Sequence, residues 1–175
     1  MDLGPPRQAP DYFAVSLMSS VLGGGFTSRI NMNIREKNGY AYGAFGRFSY
    51  ARRGPSLLTA GGAIRSDVTG KAIAEILGEI KHLQADGVTD DELTRERDGA
   101  VLAFPSRFQT AQDVLGSYRS LIYFGLPLSY YDTYIANVRA QTRATVNAAA
   151  KRYLRPAEAR VFVVGDRQTV LPQLE

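Results

Sequence analysis

Two donor side chains stand seven residues apart in the stretch LGGGFTSRINMNIREKNGYAYG (Leu22–Gly43): Arg35 and Tyr42. Arg carries a permanent charge and Tyr a neutral phenol donor. Together they can stabilise an oxygen that gains negative charge, as a carbonyl oxygen does during peptide hydrolysis. Asn38-Gly39 lies between them, with residue types that tolerate positive φ and so end a helix. A short helix ending near Arg35 can then hand over to a strand carrying Tyr42, and both tips can converge. Tyr40 shares the strand phase of Tyr42, so either phenol can be the one presented. Two plainer uses stay open: Arg35 can pair with carbonyls at its own helix end, and Tyr42 can pack with neighbouring aromatics.

The rest of the chemistry is sparse. In 175 residues there is one His and no Cys, which excludes disulfides, thiol catalysis and Cys-based zinc sites. His82 shares a helical face with Glu75, Glu79 and Asp86, and reads as a surface His beside acids on a solvated face. Gly23-Gly24-Gly25-Phe26 lacks the G-K-[ST] ending of a phosphate loop, so nucleotide binding is not expected. The glycines read as a helix stop, with flexible contact to a peptide as the alternative. From Phe26 to Arg65 there are seven bases (Arg29, Arg35, Lys37, Arg47, Arg52, Arg53, Arg65) against one acid, Glu36. That segment is either a solvated sheet edge or a basic wall facing an anionic ligand or acidic peptide.

The elements that must position these residues follow from periodicity. Pro10-Asp11 starts a helix whose Tyr12, Val15, Met18 and Leu22 lie at helical spacing, and Ser28 can cap a short second helix. From Tyr40 the period becomes two, with Tyr40, Tyr42, Phe48 and Tyr50 in one phase. After the RRGP turn, Ser56–Ser66 reads as a second strand whose Gly61-Gly62 suggests a bulge or another backbone close by. A helix striped by Ile73, Ile76, Leu77, Ile80 and Leu83 follows. The next carries a Thr89/Glu92 capping box and is interrupted at Pro105. Further helical segments run from about Tyr130 to Leu154, the later one capped by Thr142. Ala159–Asp166 (ARVFVVGD) reads as a final, largely buried strand. The order α-α-β-β-α-α-α-β predicts an α+β two-layer sandwich, helices on a mostly antiparallel sheet, forming one domain over residues 1–175. Three strands are few for so many helices, and the opening LGPP suits the exit from a further, first strand. The expectation is a fragment of something longer.

The order of elements and the segment PDYFAVSLMSSVLGGGFTSRINMNIREKNGYAY together resemble the pitrilysin/insulinase/mitochondrial-processing-peptidase family of zinc metallopeptidases, in its second, non-catalytic half. PLSYYDTYIANV, AAAKRYL and VFVVGD fit downstream. Ile30 and Ile34 stand where the family pattern has leucines, and Tyr40 where Leu is usual. The resemblance implies two similar halves that close around an unfolded peptide. The first half carries an H-x-x-E-H motif and the zinc, which keeps a position open for water. It also implies that Arg35 and Tyr42 reach across to the substrate backbone beside that zinc, as auxiliary rather than complete catalytic residues. Gly23, Gly24, Gly25, Phe26, Arg35, Tyr40 and Tyr42 are the implied substrate-binding set.

This chain lacks the motif, so it holds no metal by this reading and is not expected to hydrolyse peptides alone. Zinc is expected on a catalytic partner half, in the same polypeptide or a separate subunit, with peptide as substrate. The alternatives are a catalytically silent scaffold domain of the same fold and, more weakly, nucleic-acid binding through residues 26–65. No membrane segment is read from the sequence, the compartment stays open between periplasm and cytoplasm, and pairing of copies through an exposed sheet edge is compatible.

Overall fold

The computed structural model describes residues 4–174. Helix α1 (Tyr12–Ser19) passes directly into a further turn, Ser20–Gly24, that leaves helical geometry at Gly23 (φ −163°, ψ 19°). The short α2 (Arg29–Asn31) continues as a π turn, Met32–Lys37, and the chain turns at Gly39 with φ +62°. Strands β1 (Ala41–Ser49) and β2 (Leu57–Ile64) form an antiparallel hairpin. Then come α3 (Thr69–Asp86), α4 (Asp90–Ala103), α5 (Ala111–Phe124), α6 (Tyr134–Arg139), α7 (Arg143–Tyr153) and the single-turn α8 (Arg167–Val170). Pro105 sits at the start of the 3-10 turn Phe104–Phe108 that separates α4 from α5. Loss of one backbone donor at that point explains why the helix does not run through.

The capping arithmetic holds at three starts. Thr89 with Glu92, Thr110 with Asp113 and Thr142 with Thr145 each exchange side-chain and backbone hydrogen bonds, satisfying amides that have no partner inside the helix. Ser28 does not cap α2. Its hydroxyl donates back to the Gly25 carbonyl at 2.6 Å and closes the turn in front of the helix.

Helices cover the hairpin from one side, as the α+β sandwich requires. Val15, Met18 and Leu22 from α1 and the turn after it meet Ile30 and Ile34, Ile76 and Leu83 of α3, and Val146 of α7; all are buried. Removing each such side chain from water contributes about 2 kcal/mol. The α3–α4 corner ties three helices together. Arg29 donates to the Gly87 carbonyl (2.9 Å) and to both oxygens of Glu92 (2.7 Å each), while Asn147 accepts from the Val88 amide at 2.8 Å. A separate aromatic nest joins the start of α1 to α6. Arg7 lies 3.5 Å above the Tyr12 ring and donates to the Tyr130 hydroxyl at 2.9 Å, and Phe104 stacks on Tyr134 at 4.7 Å.

One expected element is missing. Residues 159–164 are not a strand and are not buried: Phe162 is 91% exposed and Val164 fully so. The sheet therefore has two strands among the described residues. An apolar run specifies that residues want cover, not what supplies it, and this structure offers those residues none. Of the LGPP opening, Leu3 lies outside the described residues, whereas Gly4 forms an antiparallel bridge to Ser56.

Candidate functional site

Arg35 sits in the last turn of the π segment, intermediate in exposure, between two rings. Its guanidinium carbon lies 4.8 Å from the centroid of Phe26 on one side and 4.8 Å from Tyr42 on the other. Each such contact contributes roughly 0.5–1 kcal/mol at an exposed position, chiefly by fixing where the charge points. Arg35 Nε also meets Glu36 at 3.1 Å, an exposed pair of small energetic weight. Its Nη groups carry no hydrogen bond among the described residues, so they can donate outward. Pairing of Arg35 with helix-end carbonyls, the plainer alternative, is not what the side chain does.

A β-bulge aims the phenol. Ala41 pairs with Ile64 and Ala44 with Gly62, so β1 holds one residue more than β2 between these pairs. A bulge rotates the side chains beside it out of strand phase. Tyr42 accordingly stands 89% exposed, although residues of the same parity farther along, Gly46 and Phe48, are buried. Tyr40 precedes the bulge and packs against the core. The two phenols that share a phase in the sequence thus part company, and Tyr42 is the one beside Arg35. Gly62 makes the bulge possible: a Cβ there would lie 2.6 Å from the Gly43 carbonyl oxygen.

Asn31, which the sequence reading passed over, locks this arrangement. Its amide group donates to the Phe26 carbonyl at 2.7 Å, and its oxygen accepts from the Ala44 amide at 3.1 Å. One buried side chain therefore joins the Phe26 loop to the far side of the bulge. A polar residue between Ile30 and Ile34 was the only hint the sequence offered. The glycine run is more specialised than a helix stop. Gly23 is buried and bridges Gly46, where a Cβ would lie 1.9 Å from the Gly46 nitrogen, whereas Gly25 is exposed with nothing within 4 Å.

The donor set does not fit a metal. Among the described residues no cluster of three or more His, Cys, Asp or Glu could hold an ion. Glu75 and Glu79 instead accept from the Asn33 side chain at 2.8 and 2.6 Å, and His82 is exposed. Within the basic segment, Arg29 pairs with Glu92 and Arg65 with Asp67, while Lys37, Arg47, Arg52 and Arg53 are exposed. Two shallow hollows, about 320 and 200 Å³, lie beside Phe104 and beside Arg7; neither reaches Arg35 or Tyr42. The candidate site is a rim rather than a pocket. No helix is long and apolar enough to cross a membrane among the described residues.

The arrangement is a helix-covered hairpin with a basic–aromatic rim at one end of β1. The chain belongs to the family described as the peptidase M16 inactive domain, whose family model matches residues 3–99, more than half of the chain. It is similar to the crystallised peptidase M16 inactive domain from Pseudomonas fluorescens, at 28% identity and a TM-score of 0.76 over 88% of this chain and 37% of that one. A protease from Helicobacter pylori superposes with a TM-score of 0.72 at 20% identity, over 89% of this chain and 37% of that one. The Helicobacter pylori protein called non-peptidase homolog YmxG is 24% identical over 154 residues, 87% of this chain and 35% of its own length. The chain thus spans little more than a third of the length of these relatives.

Proposed function

We propose that this chain is the non-catalytic half of a two-half zinc endopeptidase, a fragment of a longer whole that completes a chamber around an extended peptide. The observation that carries the reading is the Phe26–Arg35–Tyr42 stack: a cation held between two exposed rings, with Tyr42 turned outward by a bulge. In this reading Arg35 and Tyr42 donate to the substrate carbonyl across the closed chamber, where a zinc ion on the other half would polarise water. The glycines and Phe26 border the peptide path. Compartment and oligomeric state follow from the parent protein, not from this rim.

The test is reconstitution with a zinc-bearing half and a peptide substrate. Arg35→Ala should lower kcat by roughly a hundredfold, the order seen when one transition-state donor is removed, and Tyr42→Phe should have a smaller effect in the same direction. Circular dichroism must show the fold retained. Unchanged turnover in both variants would remove the two residues from the mechanism.

A second reading has its own support, since one relative is called a non-peptidase homolog. Here the domain is a scaffold, and the rim is a docking surface. A partner half without H-x-x-E-H would favour it.

A further inference from the structure

We infer that the hairpin face turned away from the helices is a subsite for the acidic side chains of an extended peptide, which crosses Gly61 and meets Arg47, Arg52 and Arg53. This subsite rests on the chamber reading above in taking an unfolded peptide as its occupant. The first observation is charge. Between Glu36 and Asp67 the sequence holds Lys37, Arg47, Arg52, Arg53 and Arg65, and no acid. Asp67 takes Arg65, but Arg47, Arg52 and Arg53 are exposed and make no ion pair among the described residues. Bases gathered at one end of a hairpin repel one another, and an anionic occupant relieves that repulsion.

The strands put one of these charges on an open face. Ala44, Gly46 and Phe48 of β1, with Leu58 and Ala60 of β2, turn to the core. Phe45, Arg47 and Ser49, opposite Gly61, Thr59 and Leu57, therefore turn the other way. Arg47, Ser49, Leu57 and Thr59 are exposed there. Arg47 lies 5.0 Å from the Phe45 ring, which keeps its charge close to the strand. Gly61 is the residue that the fold alone does not explain. The bulge needs Gly62, whereas Gly61 has no positive φ and a Cβ added to it would meet nothing within 4 Å. A β-branched residue at this point would strengthen the hairpin. What glycine provides is a low floor beside Phe45, where another backbone can come close. From Tyr42 to Arg47 the strand rises roughly 16 Å, so one extended peptide of similar length spans the Arg35–Tyr42 rim and Arg47 together. A single-stranded nucleic acid would need ring faces for its bases. Phe26 and Tyr42 already give a face to Arg35, and Phe45 gives one to Arg47. The acidic peptide is the better match.

Binding to the full chain tests the subsite without any hydrolysis. Two labelled, unstructured peptides of Ser, Thr and Ala are compared by fluorescence anisotropy at low salt, one with a block of Glu and the other with Gln in the same places. The Glu peptide should bind about tenfold tighter or more, and the ratio should fall toward one as salt shortens the range of the charges. Arg47→Gln, Arg52→Gln and Arg53→Gln together must abolish the ratio. Arg119→Gln, Arg139→Gln and Lys151→Gln together remove as much charge from exposed helix positions and must keep it. If the hairpin triple variant fails to fold, each of its single variants must lower the ratio. Gly61→Val must weaken both peptides without lowering thermal stability. Equal binding of the two peptides, a ratio that survives loss of the hairpin bases or is lost equally in the helix control, or unchanged binding by Gly61→Val overturns the subsite. So does an oligothymidylate of matched charge that binds more tightly than the Glu peptide, because the face is then a nucleic-acid surface. Arg35→Ala must leave most of the ratio in place, since Arg35 is already paired with Glu36. In the reconstituted two-half protein the hairpin variant should raise KM for the Glu peptide and keep kcat, whereas Arg35→Ala lowers kcat. A mixture that hydrolyses nothing thus counts against the chamber and leaves the binding ratio standing, while a missing ratio counts against the subsite alone.

Discussion

At the scale of single residues the molecule sorts glycines and charges sharply. Gly23→Ala should cost about 3 kcal/mol, because its Cβ would fall within the backbone of Gly46, whereas Gly25→Ala should change stability by less than about 0.5 kcal/mol. Urea unfolding distinguishes the two. Arg29→Ala should cost about 2 kcal/mol, since it strands a half-buried Glu92 and the Gly87 carbonyl together. Burial pushes the Glu92 carboxyl up, but the Arg29 hydrogen bond and the Thr89 contacts outweigh it and hold the group below its ordinary value. A depressed carboxylate contributes stability above its unfolded pKa, near 4.3, and that contribution disappears as pH falls through the folded value. Thermal unfolding between pH 6 and 3 should therefore be less pH-dependent in Glu92→Gln than in the parent chain. The convergence of Arg35 on Tyr42 was legible from spacing and a turn signal. The third member of the stack, Phe26, was named only for its place after the glycines, because nothing in spacing says that a loop ring will fold over a helix-end cation.

At the scale of elements, several local patterns were legible because the residue's partner is near in sequence, although Ser28 does not cap α2 and the Thr110 box was not read. The Thr89 and Thr142 caps, the break at Pro105 and the Asn38-Gly39 stop are all of this kind. The bulge was anticipated from Gly61-Gly62 but assigned to no residue, since the extra residue lies in β1 while the glycine that admits it lies in β2. Asn31 was invisible for the same reason: its two bonds reach in opposite directions along the chain. Asn31→Ala should cost roughly 1–3 kcal/mol and release the bulge. The Arg35 side-chain resonances should lose their ring-current shifts, while those of Arg29 stay put. If both Arg signals hold, the bulge is maintained by strand pairing alone and Asn31 serves only the core.

The whole molecule was legible as helices on an antiparallel sheet, and its family as well. What failed was the closing strand, where a sound reading of hydrophobicity met a sheet with no place beside those residues. Composition also concealed the aromatic nest, which gathers Tyr12, Phe124 and Tyr130 around Arg7. Burial pushes the Tyr130 hydroxyl up to about 12, against the pull of Arg7. The neutral phenol therefore stabilises the fold fully below the unfolded pKa near 10, and that contribution is lost as pH rises toward 12. The melting temperature should drop between pH 9 and 11.5, and Tyr130→Phe should flatten that drop.

The π turn at Met32–Lys37 carries a consequence for chain length. It holds an additional residue that an α-helix of the same rise would omit, and it ends at the rim, where Arg35 lies beside Phe26. Deleting one residue from 32–37 would let the turn relax to α while the chain on either side keeps its place, so the loss falls on the aim of Arg35. Homologous chains that keep this rim should therefore keep their residue count through 32–37, with insertions and deletions displaced to the exposed loop at 51–55.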